Sequence, residues 1–328
     1  MEIKIRIQNN NKILKVLNPN DSLSKIRLEL IDTISFPFIF KDSDENDISK
    51  EKEPEIILKD ILDGKNLYLG KEVINRVMLG KKLNSRNGLD FYEYPQKILT
   101  KEEKDASTNI LVIGATGTGK SAWINSLINY LQGIQLEEKG RYCLLDENRN
   151  NRYYEKNEPL VYNIEPTKLF MNPIRLIDTP GFGDVRGIKY DTKLIDDLKN
   201  LFQGPDINNV NAICIFFNAL QSRVAYPLHI LNCISLFDKE IKNNIIFIFT
   251  FADNFKNIPA LEMIKYQKDS FHQILGDIEQ CPYFAFQNNV YYSNNRARAL
   301  VGYFYEGNNK SFRNLLKYII SLKRVSLK

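Results

Sequence analysis

Residues 114–121 read Gly-Ala-Thr-Gly-Thr-Gly-Lys-Ser, placed between an apolar run, Ile110-Leu-Val-Ile113, and a segment with helical spacing. Glycines so placed let the backbone curl until successive amides converge on one point, which makes an anion-binding nest. The helix that opens next adds unpaired N–H donors and the positive end of its dipole. In that frame Lys120 is the catalytic cation reaching the outer phosphates of a nucleotide, and the Ser121 hydroxyl ligates Mg2+. Gly114, Ala115, Thr116, Gly117, Thr118, Gly119 and Ala122 supply the cradle around them. A strand before the loop and a helix after it separate this pattern from an ordinary glycine turn.

A second cluster is Arg175-Leu-Ile-Asp178-Thr-Pro-Gly181-Phe-Gly-Asp184. An apolar strand that ends in a carboxylate places Asp178 beside the same metal, and Gly181 can bring an amide to the last phosphate without a Cβ in the way. The third is Thr250-Phe-Ala-Asp253, at the end of the strongest apolar run, Ile245 to Thr250. Asp253 can accept hydrogen bonds from the ring N–H and exocyclic amine of guanine, a pattern that adenine does not offer. Further on, Phe284-Ala-Phe-Gln-Asn288-Asn289-Val290 supplies amides for the far edge of the base, with Asn288 and Asn289 as the candidates.

The elements that must hold these residues follow from the hydrophobic pattern. Ile110–Ile113, Arg175–Ile177, Ala212–Phe217 and Ile245–Thr250 are continuous apolar runs, as strands buried on both faces require. Helical spacing recurs at about 120–132, 192–202, 228–241 and 259–276, and from about 311 Phe312, Leu315, Leu316, Ile319 and Ile320 share a stripe. Alternating strands and helices predict an α/β three-layer domain with a mostly parallel sheet over 107–328. Residues 160–170 alternate and predict an antiparallel edge strand.

Residues 1–70 form a separate pattern: two short strands, a helix capped near Asp21 or Ser22, and further short strands at 36–40, 55–58 and 66–69. That order resembles a small α+β ubiquitin-like (β-grasp) domain, a module that binds a protein partner. Residues 71–106 are polar and broken by Asn84-Ser-Arg-Asn-Gly88 and Pro95, and read as a connector.

Composition narrows the class further. No apolar run reaches the roughly 18–20 residues of a membrane span, and no leader or lipid-anchor signal opens or closes the sequence. The four cysteines are far apart and without metal-ligand spacing, as in reduced cytoplasmic proteins. A net charge of +5 is spread along the chain, so no nucleic-acid partner is expected.

Together, Gly114–Ser121, Asp178–Gly181, Thr250–Asp253 and Phe286–Asn289 resemble, in order and type, the GIMAP-type (immune-associated) P-loop GTPases, relatives of the septins. The Ile124-Asn-Ser-Leu-Ile-Asn129 stretch and Asp178-Thr-Pro-Gly-Phe-Gly-Asp184 are similar too. The resemblance covers roughly 107–325. It implies GTP/GDP and Mg2+ as cofactors, a homodimer across the nucleotide face, and an asparagine of the Asn288-Asn289 pair on the guanine.

Two departures bear on catalysis. Thr167 is the only threonine between the phosphate loop and Asp178, and it follows the edge strand instead of sitting in the preceding loop near 145–160. Phe182 stands where Ras-like enzymes carry the glutamine that orients water. Arg186 and Arg223 remain as candidate charge-stabilisers beside their reading as surface arginines. Two function classes stay open: a slow GTPase acting as an assembly or signalling switch, and a nucleotide-stabilised scaffold without turnover. Membrane remodelling has no stalk or anchor to support it.

Overall fold

The computed structural model describes the chain except for residues 1, 8–10, 31–37, 43, 45, 50–51, 54, 63–65, 72–77, 145–157, 184–187, 222–226, 267–279, 294–298 and 327–328. It divides into two compact units, Met1–Arg76 and Val77–Lys328.

The first unit contains β1 (Glu2–Ile7), β2 (Asn11–Val16), α1 (Leu23–Leu30), β3 (Phe38–Lys41) and β4 (Asn66–Lys71). Its sheet runs β2-β1-β4-β3, with β1 and β4 parallel and both outer pairs antiparallel. Ile5, Leu23, Ile26, Leu30, Phe40, Leu58, Leu67 and Leu69 bury themselves between helix and sheet. The strand expected at 55–58 is instead one bridge, Ser22 to Ile57, running into a 3-10 turn at Leu58–Asp60. The amides of Leu58 and Lys59 donate to Asp21 and Pro19, so the loop before α1 takes up the donors a strand would use.

The second unit begins with β5 (Lys82–Arg86), β6 (Leu89–Glu93), α2 (Lys101–Ala106), β7 (Thr108–Gly114) and α3 (Lys120–Leu131). There follow β8 (Gly140–Cys143), β9 (Leu160–Ile164), β10 (Ile174–Asp178), α4 (Ile188–Gln203), β11 (Asn209–Val210) and β12 (Ala212–Asn218). It closes with α5 (Pro227–Ile234), β13 (Ile245–Thr250), α6 (Pro259–Tyr266), β14 (Tyr283–Ala285), α7 (Ala299–Ser321) and β15 (Val325–Ser326).

Six strands form the central sheet, in the order β14-β13-β12-β7-β10-β9. Every pair is parallel except β10 with β9, the antiparallel edge that the alternation at 160–170 predicts. Side-chain parity divides its core in two. Leu111, Ile113, Ile213, Ile215 and Phe217 pack with α4, α5 and α6, whereas Ile110, Val112, Cys214 and Phe216 pack with α3 and α7. That two-sided burial makes the unit an α/β sandwich of three layers.

Residues 82–106, expected to be part of a connector, carry regular structure and belong to the second unit. Asn87 and Gly88, at φ +51° and +72°, close the β5–β6 hairpin, and β6 pairs in parallel with β8. Thr100 caps α2, accepting from the Glu103 amide while the Glu103 carboxylate accepts from the Thr100 amide.

Candidate phosphate- and base-binding site

The phosphate half is assembled where β7 gives way to α3. Gly114 sits against β12 so tightly that a Cβ would lie 2.8 Å from the Phe216 carbonyl oxygen. Gly117 and Gly119 both take φ of +79°, the left-handed turn that closes the loop onto the helix. The Thr118 hydroxyl donates to the Ala115 carbonyl at 2.8 Å and fixes the curl. Among the described residues, none accepts from the amides of Gly117, Gly119, Lys120, Ser121 or Ala122. A ring of free donors at a helix N-terminus is the arrangement that a phosphate satisfies.

Lys120 folds back into that ring. Its ammonium donates to the carbonyls of Gly114 at 2.8 Å and Ala115 at 3.0 Å, and burial brings its pKa down to about 7. Desolvation disfavours the charge, and these carbonyl dipoles stand where an anion would compensate it fully.

Asp178 closes β10 in register with Val112 and is wholly buried beside the loop's root. Thr179 donates its hydroxyl to the Val112 carbonyl at 2.8 Å, turning the chain toward the phosphate loop. There the two segments pair: the Phe182 amide donates to Gly114 at 3.2 Å, and the Thr116 amide to Phe182 at 2.9 Å. The Phe182 ring turns inward and stacks on His229 at 5.7 Å. Behind it the Gly183 amide faces the Asp191 carboxylate at 3.3 and 3.4 Å, and His229 Nε2 lies 3.4 Å from Asp191. The residue after Gly181 therefore serves as a packing anchor, with its side chain directed away from the loop.

Thr167 stands elsewhere. Its hydroxyl accepts from the amides of Leu169 and Phe170 in the turn joining β9 to β10. That turn precedes Ile174, whose register partner is Thr108 at the start of β7, so it lies at the opposite end of the sheet from Gly114. Arg186, Arg223 and most of the loop near 145–160 fall outside the described residues.

The base half hangs on β13. The Thr250 hydroxyl donates to the Thr118 carbonyl at 2.6 Å and joins the two halves directly. Phe251, at φ +56°, takes a conformation that non-glycine residues rarely adopt. Its ring is held against Gly119, where a Cβ would approach Phe251 Cε2 to 3.1 Å. The Ala252 amide then donates to Phe286 at 3.1 Å, so the loop bearing Asp253 is bonded to the loop after β14.

Asp253 is exposed, and its Oδ1 accepts from Gln287 Nε2 at 3.2 Å. Gln287 is a candidate that the motifs do not include, because only the tertiary approach of two loops brings it to Asp253. The two asparagines part company. Asn288 is buried, and its side-chain oxygen has no partner among the described residues, whereas Asn289 is exposed. Of the pair, Asn288 is the one whose unfilled acceptor is buried.

No protein-family model matches the chain, and no curated protein matches it. Among solved structures, the chain is similar to Toc33 from Arabidopsis thaliana in complex with Mg2+ and GMPPNP, at 16% identity and TM-score 0.44, covering 69% of this chain and 90% of that one. The GDP and Mg2+ complex of Toc33 matches at 16% identity with TM-score 0.43 over the same shares. A structure of the chloroplast translocon components atToc33 and psToc159, described by the importance of dimerization for GTPase activity, matches at 14% with TM-score 0.44, over 69% and 89%. These likenesses are loose, and the site's own residues are what define its chemistry.

Proposed function

We propose that the second unit binds GTP and GDP with Mg2+, as a P-loop GTPase of slow turnover. The observation that carries this reading is the join between the two halves. A free-amide loop holding Lys120 and a loop presenting Asp253 are tied together through Thr250–Thr118 and Phe251–Gly119. A nucleotide spans such a pair, its phosphates on the loop and its base on the carboxylate.

The donor set suits a hard divalent cation. Ser121 in the first turn of α3 and Asp178 at the end of the neighbouring strand offer two protein oxygens, and Mg2+ ordinarily completes its shell with phosphate and water. When bound, the ion would neutralise charge on the outer phosphates. Lys120 would meet the same charge from the other side, and Gly181 would offer an amide near the last phosphate.

Slow turnover is supported by Phe182, whose ring is buried against His229, so the side chain directly after Gly181 does not orient water. The same feature favours the second reading, a scaffold that holds nucleotide without cutting it. Single-turnover phosphate release at low and high protein concentration separates the two. A concentration-dependent rate supports the switch and a homodimer across the nucleotide face; no release at any concentration supports the scaffold.

The first unit's β2-β1-β4-β3 order, with a parallel central pair and a helix after the hairpin, supports a ubiquitin-like module that docks a protein partner. The base assignment is tested by binding GDP, ADP and xanthosine diphosphate to the wild type and Asp253→Asn. Xanthine carries an oxo group where guanine has its amine, so an amide in place of the carboxylate should favour it. Preference for GDP should pass to xanthosine diphosphate. Equal affinity of the wild type for GDP and ADP rejects guanine selectivity.

A further inference from the structure

Both base-side loops are anchored to neighbouring residues of one helix. Asn308, in α7, is completely buried, and its side chain grips Gln287 twice: its oxygen accepts from the Gln287 amide at 2.8 Å, and its Nδ2 donates to the Gln287 carbonyl at 2.9 Å. One residue earlier, Gly307 is a notch for Phe255 of the other loop. A Cβ on Gly307 would lie 2.4 Å from both Cε2 and Cζ of that ring. The Phe255 ring also meets Tyr303 edge-on at 5.9 Å and Phe304 at 6.0 Å, one turn back along the same helix.

Glycine inside a 23-residue helix works against helix formation relative to alanine. The side-chain-free position admits the aromatic ring, and the ring fixes the chain two residues beyond Asp253. The contacts close a circuit: Asp253 to Gln287, Gln287 to Asn308, Gly307 to Phe255, and Phe255 back along the loop to Asp253. Neither loop can shift without straining the other's hold on α7.

We infer that Gly307 and Asn308 are positioning residues for base selection: they hold the Asp253–Gln287 pair at the separation at which it reads a purine edge. Gln287 belongs to the reading pair itself, its amide N–H orienting the Asp253 carboxylate while leaving that oxygen lone pairs for a base donor. The inference rests on the guanine reading of the site. It adds that selectivity is set from α7, a helix that contributes no residue to the phosphate loop.

The test compares GDP, inosine diphosphate and ADP binding by calorimetry in the wild type, Asn308→Leu, Gly307→Ala and Phe255→Leu. Inosine lacks the exocyclic amine, so the GDP-to-inosine ratio reports the second hydrogen bond to Asp253. ADP reports the phosphate end, which no part of the circuit touches. A structural role alone would weaken all three nucleotides together. Expected is a loss of about tenfold in the GDP-to-inosine ratio, with ADP affinity within twofold of wild type. Phe255→Leu leaves α7 unaltered, so it keeps the test decisive if a helix variant fails to fold. A wild-type ratio near one overturns the guanine reading and this inference with it. A wild-type preference that persists in the folded variants overturns the inference alone.

Discussion

Gly181 faces Thr116 so closely that a Cβ on the glycine would lie 2.4 Å from the threonine hydroxyl oxygen and 2.6 Å from its backbone nitrogen. Backbone cannot yield as a side-chain tip does, so Gly181→Ala must push the 181–183 segment off the phosphate loop. With it go the pairs from Phe182 to Gly114 and from Thr116 to Phe182. On the proposed function this segment meets only the third phosphate. The variant should therefore lose about tenfold in affinity for a non-hydrolysable GTP analogue relative to GDP. Titration with fluorescent analogues of both nucleotides checks it, and an equal loss for each would contradict the assignment of Gly181.

Lys120 predicts a pH dependence with a definite sign. In the nucleotide-free protein burial lowers its pKa from 10.5 to about 7. A bound phosphate supplies the missing counter-charge and raises it again. Below pH 7 the lysine is charged in both states and contributes no slope. Above it, binding must take up a proton, so GDP affinity should fall by up to tenfold per pH unit until the bound-state pKa is reached. The phosphate's own last ionisation, near about 6, is complete before this window opens. Calorimetry at pH 8 in buffers of different ionisation enthalpy should register proton uptake, and Lys120→Arg should abolish it. For the nucleotide-free fold the linkage runs the other way. Between 7 and 10.5 the unfolded chain holds this proton more tightly, so the group's contribution to stability rises with pH.

The conformation of the 114–121 loop, where we propose the phosphates bind, was legible because its demands are local. Glycines at 117 and 119 answer to backbone angles, and Asp178 answers to the end of a buried strand; both leave marks within a few residues. The base half was legible only in part. Gln287 meets Asp253 across 34 residues, and Asn288 differs from Asn289 solely in which of them the chain turns inward. The β5–β6 hairpin is a different case, since its signal was present and outweighed. Asn87-Gly88 between Leu83 and the alternating Leu89 and Phe91 is a two-residue hairpin pattern, obscured by the polar residues around it.

Phe251 sets conformational strain against contact. At φ +56° a bulky side chain costs on the order of 1 kcal/mol or more, which the ring's contact with Gly119 must offset. Phe251→Gly should leave the thermal midpoint of the nucleotide-free protein unchanged or higher. It should also weaken GDP several-fold, because the loop carrying Asp253 loses its hold on the phosphate loop. Parallel thermal-melt and binding measurements check both arms, and a lower midpoint with unaltered binding would reverse the assignment.

Arg141 in β8 has 1% of its surface exposed and spreads its guanidinium over four carbonyl oxygens. It donates to Tyr291 at 3.0 Å, Glu138 at 2.8 Å, Gly140 at 2.8 Å and Leu136 at 3.0 Å. Leu136 and Glu138 lie between α3 and β8, Gly140 opens β8, and Tyr291 lies four residues beyond Gln287, so one side chain ties the segment after α3 to the loop after β14. Removing it leaves buried carbonyls without donors, at a cost of about 1–3 kcal/mol for each group that water cannot reach. Arg141→Met should therefore lower the urea midpoint by on the order of 1 M with little change of slope. Arg141→Lys should not recover it, because an ammonium donates from one point and cannot span a site built for a planar fork. If the lysine variant unfolds at the wild-type midpoint, the charge alone suffices, and the four-carbonyl arrangement is not what holds these segments together.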